Sequence, residues 1–256
     1  MSQPKIAAQL YTLRDFLKTP EQIQETFKKV KQIGYSAVQV SGVGVIDQEK
    51  AKVIKDAAKE NQLNICATHI SYEQLQNQMD WVIDFHNMWD CTYVGLGAMP
   101  EQYRNEEGYH FFAKEASKIG KILKEHDLSF IYHNHAFEFE KYNGKTGMDI
   151  LLKESDPATF HFELDTYWVQ AGGADPVEWI NKVKGRMSVV HFKDMGIHEG
   201  KQVMMEIGQG NLNWRKIIQA CQEIGVEWAA VEQDICLRSP FKSLEMSLSY
   251  LKELGL

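Results

Sequence analysis

Residues 128–140 read LSFIYHNHAFEFE, an apolar run that changes abruptly to histidine, asparagine and glutamate. The run from Leu128 to Ile131 has the composition of a buried β-strand. Histidine and glutamate side chains are costly to remove from water, so a strand used only for packing would not end in them. The stretch therefore indicates either a binding site at the end of a buried strand or a solvated loop.

Similar strands recur along the whole chain, and longer helical patterns separate them. Between the strands, apolar residues stand at helical spacing, as in Ile23, Phe27 and Val30, and the last helix is expected at about 241–254. Strict alternation of strands and helices predicts an α/β fold with a parallel sheet. Eight strand–helix units in 256 residues predict a single (β/α)8 TIM barrel, with residues 1–256 as one domain. The absence of a G-x-G-x-x-G fingerprint weighs against a doubly wound open sheet. The predicted strands are Lys5–Leu10, Ser36–Val40, Asn64–His69, Thr92–Leu96, Leu128–Asn134, Phe160–Asp165, Ser188–Phe192 and Trp228–Gln233.

The composition argues against several classes of partner. The net charge of −7 disfavours nucleic acid, because phosphate binding depends on clustered lysine and arginine. No stretch approaches the roughly 18 apolar residues that span a membrane, and the first residues lack a signal-peptide pattern. The cysteines lie far apart without a C-x-x-C pair, which predicts free thiols in a reducing compartment, hence a cytoplasmic protein. The sequence leaves open whether the chain forms a homo-oligomer.

The ends of strands five to eight carry the side chains best suited to bind a metal ion. They are His133, Asp165, His191 and Glu232. In a TIM barrel the carboxyl ends of the strands meet at one mouth, so these side chains are expected to converge. Two imidazoles and two carboxylates suit one divalent cation, with Mn, Zn, Co and Fe as candidates. No local motif defines this cluster, so the prediction depends on the barrel.

Other polar side chains near the strand ends are candidates for substrate contact: His69, His135, Trp168 and Lys193. His161 and Glu163 share a strand face with Asp165, and we expect them to be polar fillers deeper in the barrel. Lys193 and Asp194 are equally compatible with a salt bridge in the loop. The segment EIGQGNLNW (206–214) predicts a turn and a helix cap, or alternatively amide groups directed at an anionic or hydroxyl-rich ligand. For the remaining histidines, His86, His110, His126 and His198, solvated or capping roles are expected.

The order and spacing of seven segments resemble the xylose isomerase-like TIM barrel superfamily, often called sugar phosphate isomerase/epimerase and related to the AP endonuclease family 2 barrels. The segments are QLYTLRD (9–15), ATHIS (67–71), YHNHAFEFE (132–140), ELDTYWVQAGG (163–173), VVHFKDM (189–195), EIGQGNLNW (206–214) and AVEQD (230–234). Members hold one divalent metal through Glu, Asp, His and Glu on strands five to eight. The resemblance assigns the last three to Asp165, His191 and Glu232. The first glutamate falls on His133, so either His133 is the ligand or Glu138 approaches from the loop.

The resemblance also implies a reaction, the abstraction of a proton next to a carbonyl to give an enediolate. Glu232 would be the base and Glu138 its acid–base partner. The substrate would be a sugar, keto-sugar or inosose, although Trp168 replaces a histidine that many relatives direct at the substrate. Isomerisation or epimerisation is the primary interpretation. A metal-dependent lyase or hydratase acting on a 3-keto-glycoside or inosose, and a non-catalytic carbohydrate-binding barrel, are the alternatives. The acidic charge disfavours a zinc endonuclease.

Overall fold

The eight predicted strands form one parallel sheet in the computed structural model, which describes residues 3–256. The strands are β1 Lys5–Gln9, β2 Ala37–Val40, β3 Asn64–His69, β4 Tyr93–Leu96, β5 Ser129–His133, β6 His161–Glu163, β7 Val189–Phe192 and β8 Trp228–Val231. Each pairs with the next, and β1 also pairs with β8, while β6 and β7 are joined by a single bridge between Asp165 and His191. The (β/α)8 TIM barrel is confirmed, and the barrel closes at two of the predicted metal ligands.

Helices follow the strands as the periodicity predicts. The α-helices of the described residues are α1 Pro20–Ile33, α2 Gln48–Glu60, α3 Tyr72–Asn77, α4 Met79–Trp89, α5 Glu106–Lys124, α6 Gly147–Glu154, α7 Thr166–Ala171, α8 Pro176–Lys182, α9 Trp214–Ile224 and α10 Pro240–Glu253. Pro20, Pro176 and Pro240 open their helices, where a missing N–H costs least. Two short helices, α3 and α7, add to the eight expected, and α7 is capped by Asp165, whose carboxylate accepts a hydrogen bond from the Trp168 N–H at 2.9 Å.

The barrel interior changes from apolar to polar along the strands. Its lower layer includes the small or aliphatic residues Ala7, Ala37, Ile131, Val189 and Ala230. Because side chains alternate across a strand, the residues two positions further on also point inward. These are Gln9, Gln39, His133, His191 and Glu232, all buried. The same alternation that fills the core with aliphatic side chains therefore stacks a polar layer above them.

A β-hairpin that the sequence did not indicate follows β7, with strands Asp194–His198 and Lys201–Met205. The buried Asp194 fixes the next loop, because its carboxylate accepts hydrogen bonds from the amides of Gly208 (2.9 Å) and Leu212 (3.2 Å) and from the Trp214 indole (2.7 Å). A side chain at residue 210 would collide with this carboxylate, since a Cβ there would lie 2.4 Å from its oxygen. The amides of EIGQGNLNW thus bind the protein's own Asp194, and the turn-and-cap interpretation is confirmed, with Asn213 as cap.

One histidine departs from the role expected of it. His86 is fully buried instead of solvated, and its ring is hydrogen-bonded to the Thr68 hydroxyl at 2.8 Å and to the Val82 carbonyl at 2.7 Å. Burial lowers its pKa to about 4, so the ring is neutral and structural. No helix within residues 3–256 combines the length and the apolar character needed to cross a bilayer.

Candidate active site

The ends of β5 to β8 bring His133, Asp165, His191 and Glu232 together. One ligand atom of each lies within 4.8 Å of the others, and all four residues are buried. His133 Nε2 is 3.3 Å from the Asp165 carboxylate, and His191 Nδ1 is 3.0 Å from the Glu232 carboxylate. We call these four residues the quartet. The four residues are far apart in sequence, so no local motif indicates the quartet and only the barrel fold brings them together.

In each imidazole of the quartet, the ring nitrogen that does not face Asp165 or Glu232 is hydrogen-bonded to an acceptor. His133 Nδ1 lies 2.9 Å from the Gly97 carbonyl, and His191 Nε2 lies 2.9 Å from the Gln39 side-chain oxygen. A neutral ring that donates outward through one nitrogen would present the lone pair of the other nitrogen to a bound cation. A cation held by these four residues would leave each ring oriented by its outer hydrogen bond, as ligand histidines commonly are. The quartet therefore fits one divalent metal ion.

Lys193, predicted to contact substrate, lies behind the quartet. Its side chain is buried, and Nζ is 2.9 Å from Glu232, 2.9 Å from Asp234 and 3.3 Å from Asp165. Burial alone would lower the pKa of Lys193, but these three carboxylates raise it above its ordinary value. Burial likewise raises the pKa of Glu232, yet the charges of Lys193 and of His191, whose own pKa is raised by Glu163 and Glu232, bring it well below the usual range. Lys193 thus keeps Glu232 ionised and in place.

Glu163 is more than a polar filler. It is fully buried, and its carboxylate lies 2.6 Å from His69 Nε2, accepts a hydrogen bond from the Gln39 amide at 2.8 Å and lies 3.4 Å from His191 Nε2. Burial raises its pKa, but the charge of His191 and the hydrogen bonds with His191 and His69 bring it below the ordinary value, whereas burial lowers the pKa of His69 itself. Sequence reasoning missed this role, although the spacing of two from Asp165 carried the signal. His161, two residues earlier, is half-buried in the lower barrel.

A cavity of about 550 Å³ opens above the quartet. Its lining includes three of the predicted site histidines, together with Glu232 and Asp234, whereas Trp168 and Lys193 do not line it. The Trp168 ring instead packs 5.3 Å from the His135 ring. The lining residues are Tyr11, Ser41, His69, Ile70, Ser71, Tyr72, Leu96, Gly97, Ala98, Pro100, His133, His135, Glu232 and Asp234.

Glu138, the predicted acid–base partner, is buried beside the cavity and does not line it. Its carboxylate accepts a hydrogen bond from the Tyr132 hydroxyl at 2.6 Å and another from the His135 amide at 2.8 Å. Both oxygens therefore anchor the loop that follows β5. Of the two candidates for the strand-five ligand, His133 lies in the quartet and Glu138 does not. Burial raises the pKa of Glu138 to about 7.

This raised pKa predicts a pH-dependent stability. In the unfolded chain Glu138 releases its proton near its ordinary pKa of 4.5, whereas the folded chain holds it to about 7, so stability is lost as the pH rises between them. Relative to Glu138→Gln, which cannot titrate, the free energy of unfolding should fall by about 2 to 3 kcal/mol between roughly pH 5 and pH 8. Urea unfolding of both proteins at each pH measures this difference, and a constant difference would contradict the assignment.

The fold and the quartet together describe a barrel with a buried cluster of two histidines and two carboxylates at its mouth, which could bind a metal ion. The chain belongs to the xylose isomerase-like TIM barrel family, whose model matches residues 27–254.

Several individual proteins resemble this chain in sequence or in fold. An inosose dehydratase from Clostridium beijerinckii is 25% identical over 171 residues, 59% of this chain and 56% of that protein. The match thus spans little more than half the length of that curated relative. A sugar phosphate isomerase/epimerase from Parabacteroides distasonis has the same fold, with a TM-score of 0.79, 23% identity and 98% of each chain covered. A xylose isomerase-like barrel protein from Mycobacterium smegmatis, solved in complex with magnesium, has a TM-score of 0.74 at 12% identity, with 99% of this chain and 96% of that one covered.

Proposed function

We propose that this protein is a divalent-metal-dependent isomerase or epimerase that moves a proton next to the carbonyl of a sugar, keto-sugar or inosose. The observation that carries the proposal is the quartet, of which His133 and Glu232 line an open cavity and both histidines are hydrogen-bonded to acceptors through their outer ring nitrogens. His133, Asp165, His191 and Glu232 would hold the ion, and their mixed nitrogen and oxygen donors suit Mn, Zn, Co or Fe. When bound, the ion supplies a positive charge that stabilises the enediolate.

Glu232 is the proposed base. It lines the cavity, and the adjacent Lys193 keeps it ionised, so one oxygen of its carboxylate can accept a proton from the carbon next to the carbonyl. The barrel holds this carboxylate at the end of β8, a rigid element, which fixes the direction of proton transfer.

His69 is the proposed second proton-transfer group, in place of Glu138. It lines the cavity, and Glu163 fixes its ring through Nε2 at 2.6 Å. The other ring nitrogen lies against Gly97, where a Cβ would approach it to 2.9 Å. The absence of a side chain at Gly97 therefore leaves room for the His69 ring beside the cavity. Glu163 acts as a positioning residue, in the way that a buried carboxylate orients a catalytic histidine.

Dehydration is the second candidate, favoured by the similarity to inosose dehydratases over 59% of the chain. Removal of the same proton leaves an enolate that can expel a hydroxyl group from the next carbon. The hydroxyl leaves as water when it receives a proton, which His69 would give up from the ring nitrogen not paired with Glu163, entering the step as an imidazolium and leaving it neutral. The two reactions share every residue proposed above and differ in whether the hydroxyl departs.

Metal loading and solvent deuterium exchange test the proposal together. We expect about one equivalent of Mn²⁺, Co²⁺ or Zn²⁺ to bind, and the loaded protein to transfer deuterium from heavy water into 2-keto-myo-inositol or a ketohexose. Chelation should lower the exchange rate by at least about a hundredfold, because the positive charge that stabilises the enediolate is lost. NMR follows the exchange, and ultraviolet absorbance of an enone reports dehydration.

A carbohydrate-binding barrel without catalysis would behave differently in the same experiment. It would bind these compounds with no exchange at any metal loading, and Glu232→Gln would retain its affinity for them. That outcome, across several ketohexoses and 2-keto-myo-inositol, contradicts the proposed reaction.

A further inference from the structure

The two halves of the cavity wall differ in chemistry. The ends of β5 and β8 supply His133, His135, Glu232 and Asp234, whereas the segments after β1 to β4 supply chiefly neutral groups, with hydroxyls from Tyr11, Ser41, Ser71 and Tyr72. The carboxylates among the lining residues are Glu232 and Asp234, and within the described chain no lysine or arginine lines the cavity. A ligand in this cavity therefore meets negative charge on one side and hydroxyl groups on the other.

The basic side chains Lys193, Arg14 and Arg104, which lie near the cavity, already have partners within the protein. Lys193 is buried among three carboxylates. Arg14 donates hydrogen bonds to the carbonyls of Asp234 (2.8 Å) and Tyr11 (3.0 Å). Arg104 donates to the Met99 carbonyl at 3.0 Å and lies 3.9 Å above the Phe137 ring. A phosphate group would leave water without gaining a cation and would lie close to acidic side chains, which is unfavourable on both counts.

The cavity instead offers neutral hydrogen-bonding groups. The Tyr72 hydroxyl and His135 Nδ1 are buried atoms of lining residues, and the described residues provide neither with a hydrogen-bond partner. Buried polar atoms are nearly always paired, so such atoms indicate a place for ligand or water. Sugar hydroxyl groups both donate and accept, which matches a tyrosine hydroxyl and a ring nitrogen. The volume of about 550 Å³ also lies within the range of small-molecule pockets.

We infer that the substrate is an uncharged polyhydroxy ketone and that the site discriminates against its phosphate esters. This inference rests on the proposed function and names the substrate class for it. The reacting ketone faces the quartet, and the remaining hydroxyl groups lie against the neutral wall. Specificity thus arises from the absence of a cation on that wall as much as from the hydroxyl groups on it.

The test compares D-fructose and 2-keto-myo-inositol with D-fructose 1-phosphate and D-fructose 6-phosphate on the metal-loaded protein. Calorimetry measures binding, and NMR measures deuterium exchange. We expect each phosphate ester to bind at least tenfold more weakly than D-fructose. Equal or tighter binding of either ester overturns the inference, as does the absence of measurable binding by both neutral ketones.

A substitution on the neutral wall provides an independent test. Ala98 is partly exposed in the loop after β4, so Ala98→Lys places an ammonium at the cavity edge, with Ala98→Met as an uncharged control of similar length. We expect the lysine variant to improve the affinity for a phosphate ester relative to D-fructose by at least tenfold, and the methionine variant to leave the ratio near that of the parent. An unchanged ratio in the lysine variant counts against the inference.

These readouts separate the inference from the proposed function. If the neutral ketones bind preferentially but no probe exchanges deuterium, the proton-transfer reaction fails while the substrate class stands. If exchange occurs and the esters exchange as fast as the neutral ketones, the reaction stands and the substrate class fails.

Discussion

Glu232→Gln is expected to lower the rate of deuterium exchange by about 10² to 10⁴-fold, the usual contribution of a general base. Glutamine keeps the size of the side chain but cannot accept the proton, and it is a weaker metal ligand. Lys193 and His191, which lie 2.9 and 3.0 Å from this carboxylate, would also lose their partner. The rate is to be measured at saturating metal, so that a weaker affinity for the ion does not mimic the loss of the base.

Glu138→Gln is the matched comparison, because it is the same substitution at another buried glutamate near the cavity. Its carboxylate is occupied by Tyr132 and the His135 amide, so we expect exchange within about tenfold of the parent. If Glu138→Gln lost as much activity as Glu232→Gln, the sequence-based role of Glu138 would be restored and our assignment of His69 would fail. If Glu232→Gln retained most of the activity, Glu232 would not be the base.

The barrel could be predicted because its signals are local and repeat many times. Each strand is an apolar run of a few residues, each helix has a 3.6-residue period, and eight repetitions leave few alternative folds. The quartet followed from the same reasoning, since strand ends of a parallel barrel meet wherever they stand in sequence. The alternation of side chains along the strand also placed Glu163 on the same face as Asp165. That alternation predicts the face on which a side chain lies but not the residue that it contacts. The contact of Glu163 with His69 joins β3 to β6 across the barrel, and no spacing in sequence encodes that distance.

The contacts of side chains in the loops were harder to predict from the sequence than the strands were. Lys193 follows β7 directly and was equally compatible with substrate contact or a salt bridge, because a lysine reaches either side of a strand end. In the structure Lys193 pairs with three carboxylates that come from the ends of two other strands. Glu138 is a second example. The family pattern has a glutamate at the position of His133, and Glu138 was considered as a replacement because it is the nearest carboxylate that follows in sequence. Its direction depends on the short 3₁₀-helix Phe137–Phe139, which turns it toward Tyr132.

Lys193→Met is expected to destabilise the metal-free protein by about 3 to 5 kcal/mol, the usual cost of removing one partner of a buried ion pair. Methionine fills a similar volume but leaves Asp165, Glu232 and Asp234 close together without their cation. Urea unfolding in the presence of a chelator measures the loss. Lys242→Met is the matched control, because Lys242 pairs with Glu245 at 2.9 Å with both side chains about half exposed, and such surface pairs contribute up to about 1 kcal/mol.

The same variant should bind divalent metal more tightly. Lys193 shares Asp165 and Glu232 with the proposed ion, so its ammonium repels the ion and competes for the same carboxylates. Removing it makes the quartet more negative, and we expect the affinity for Mn²⁺ or Zn²⁺ to rise by at least tenfold. Because a ligand that binds only the folded state stabilises it, added metal should restore more stability to Lys193→Met than to the parent. If metal stabilised both proteins equally, Lys193 and the ion would not share these carboxylates, and the quartet would not be the metal site.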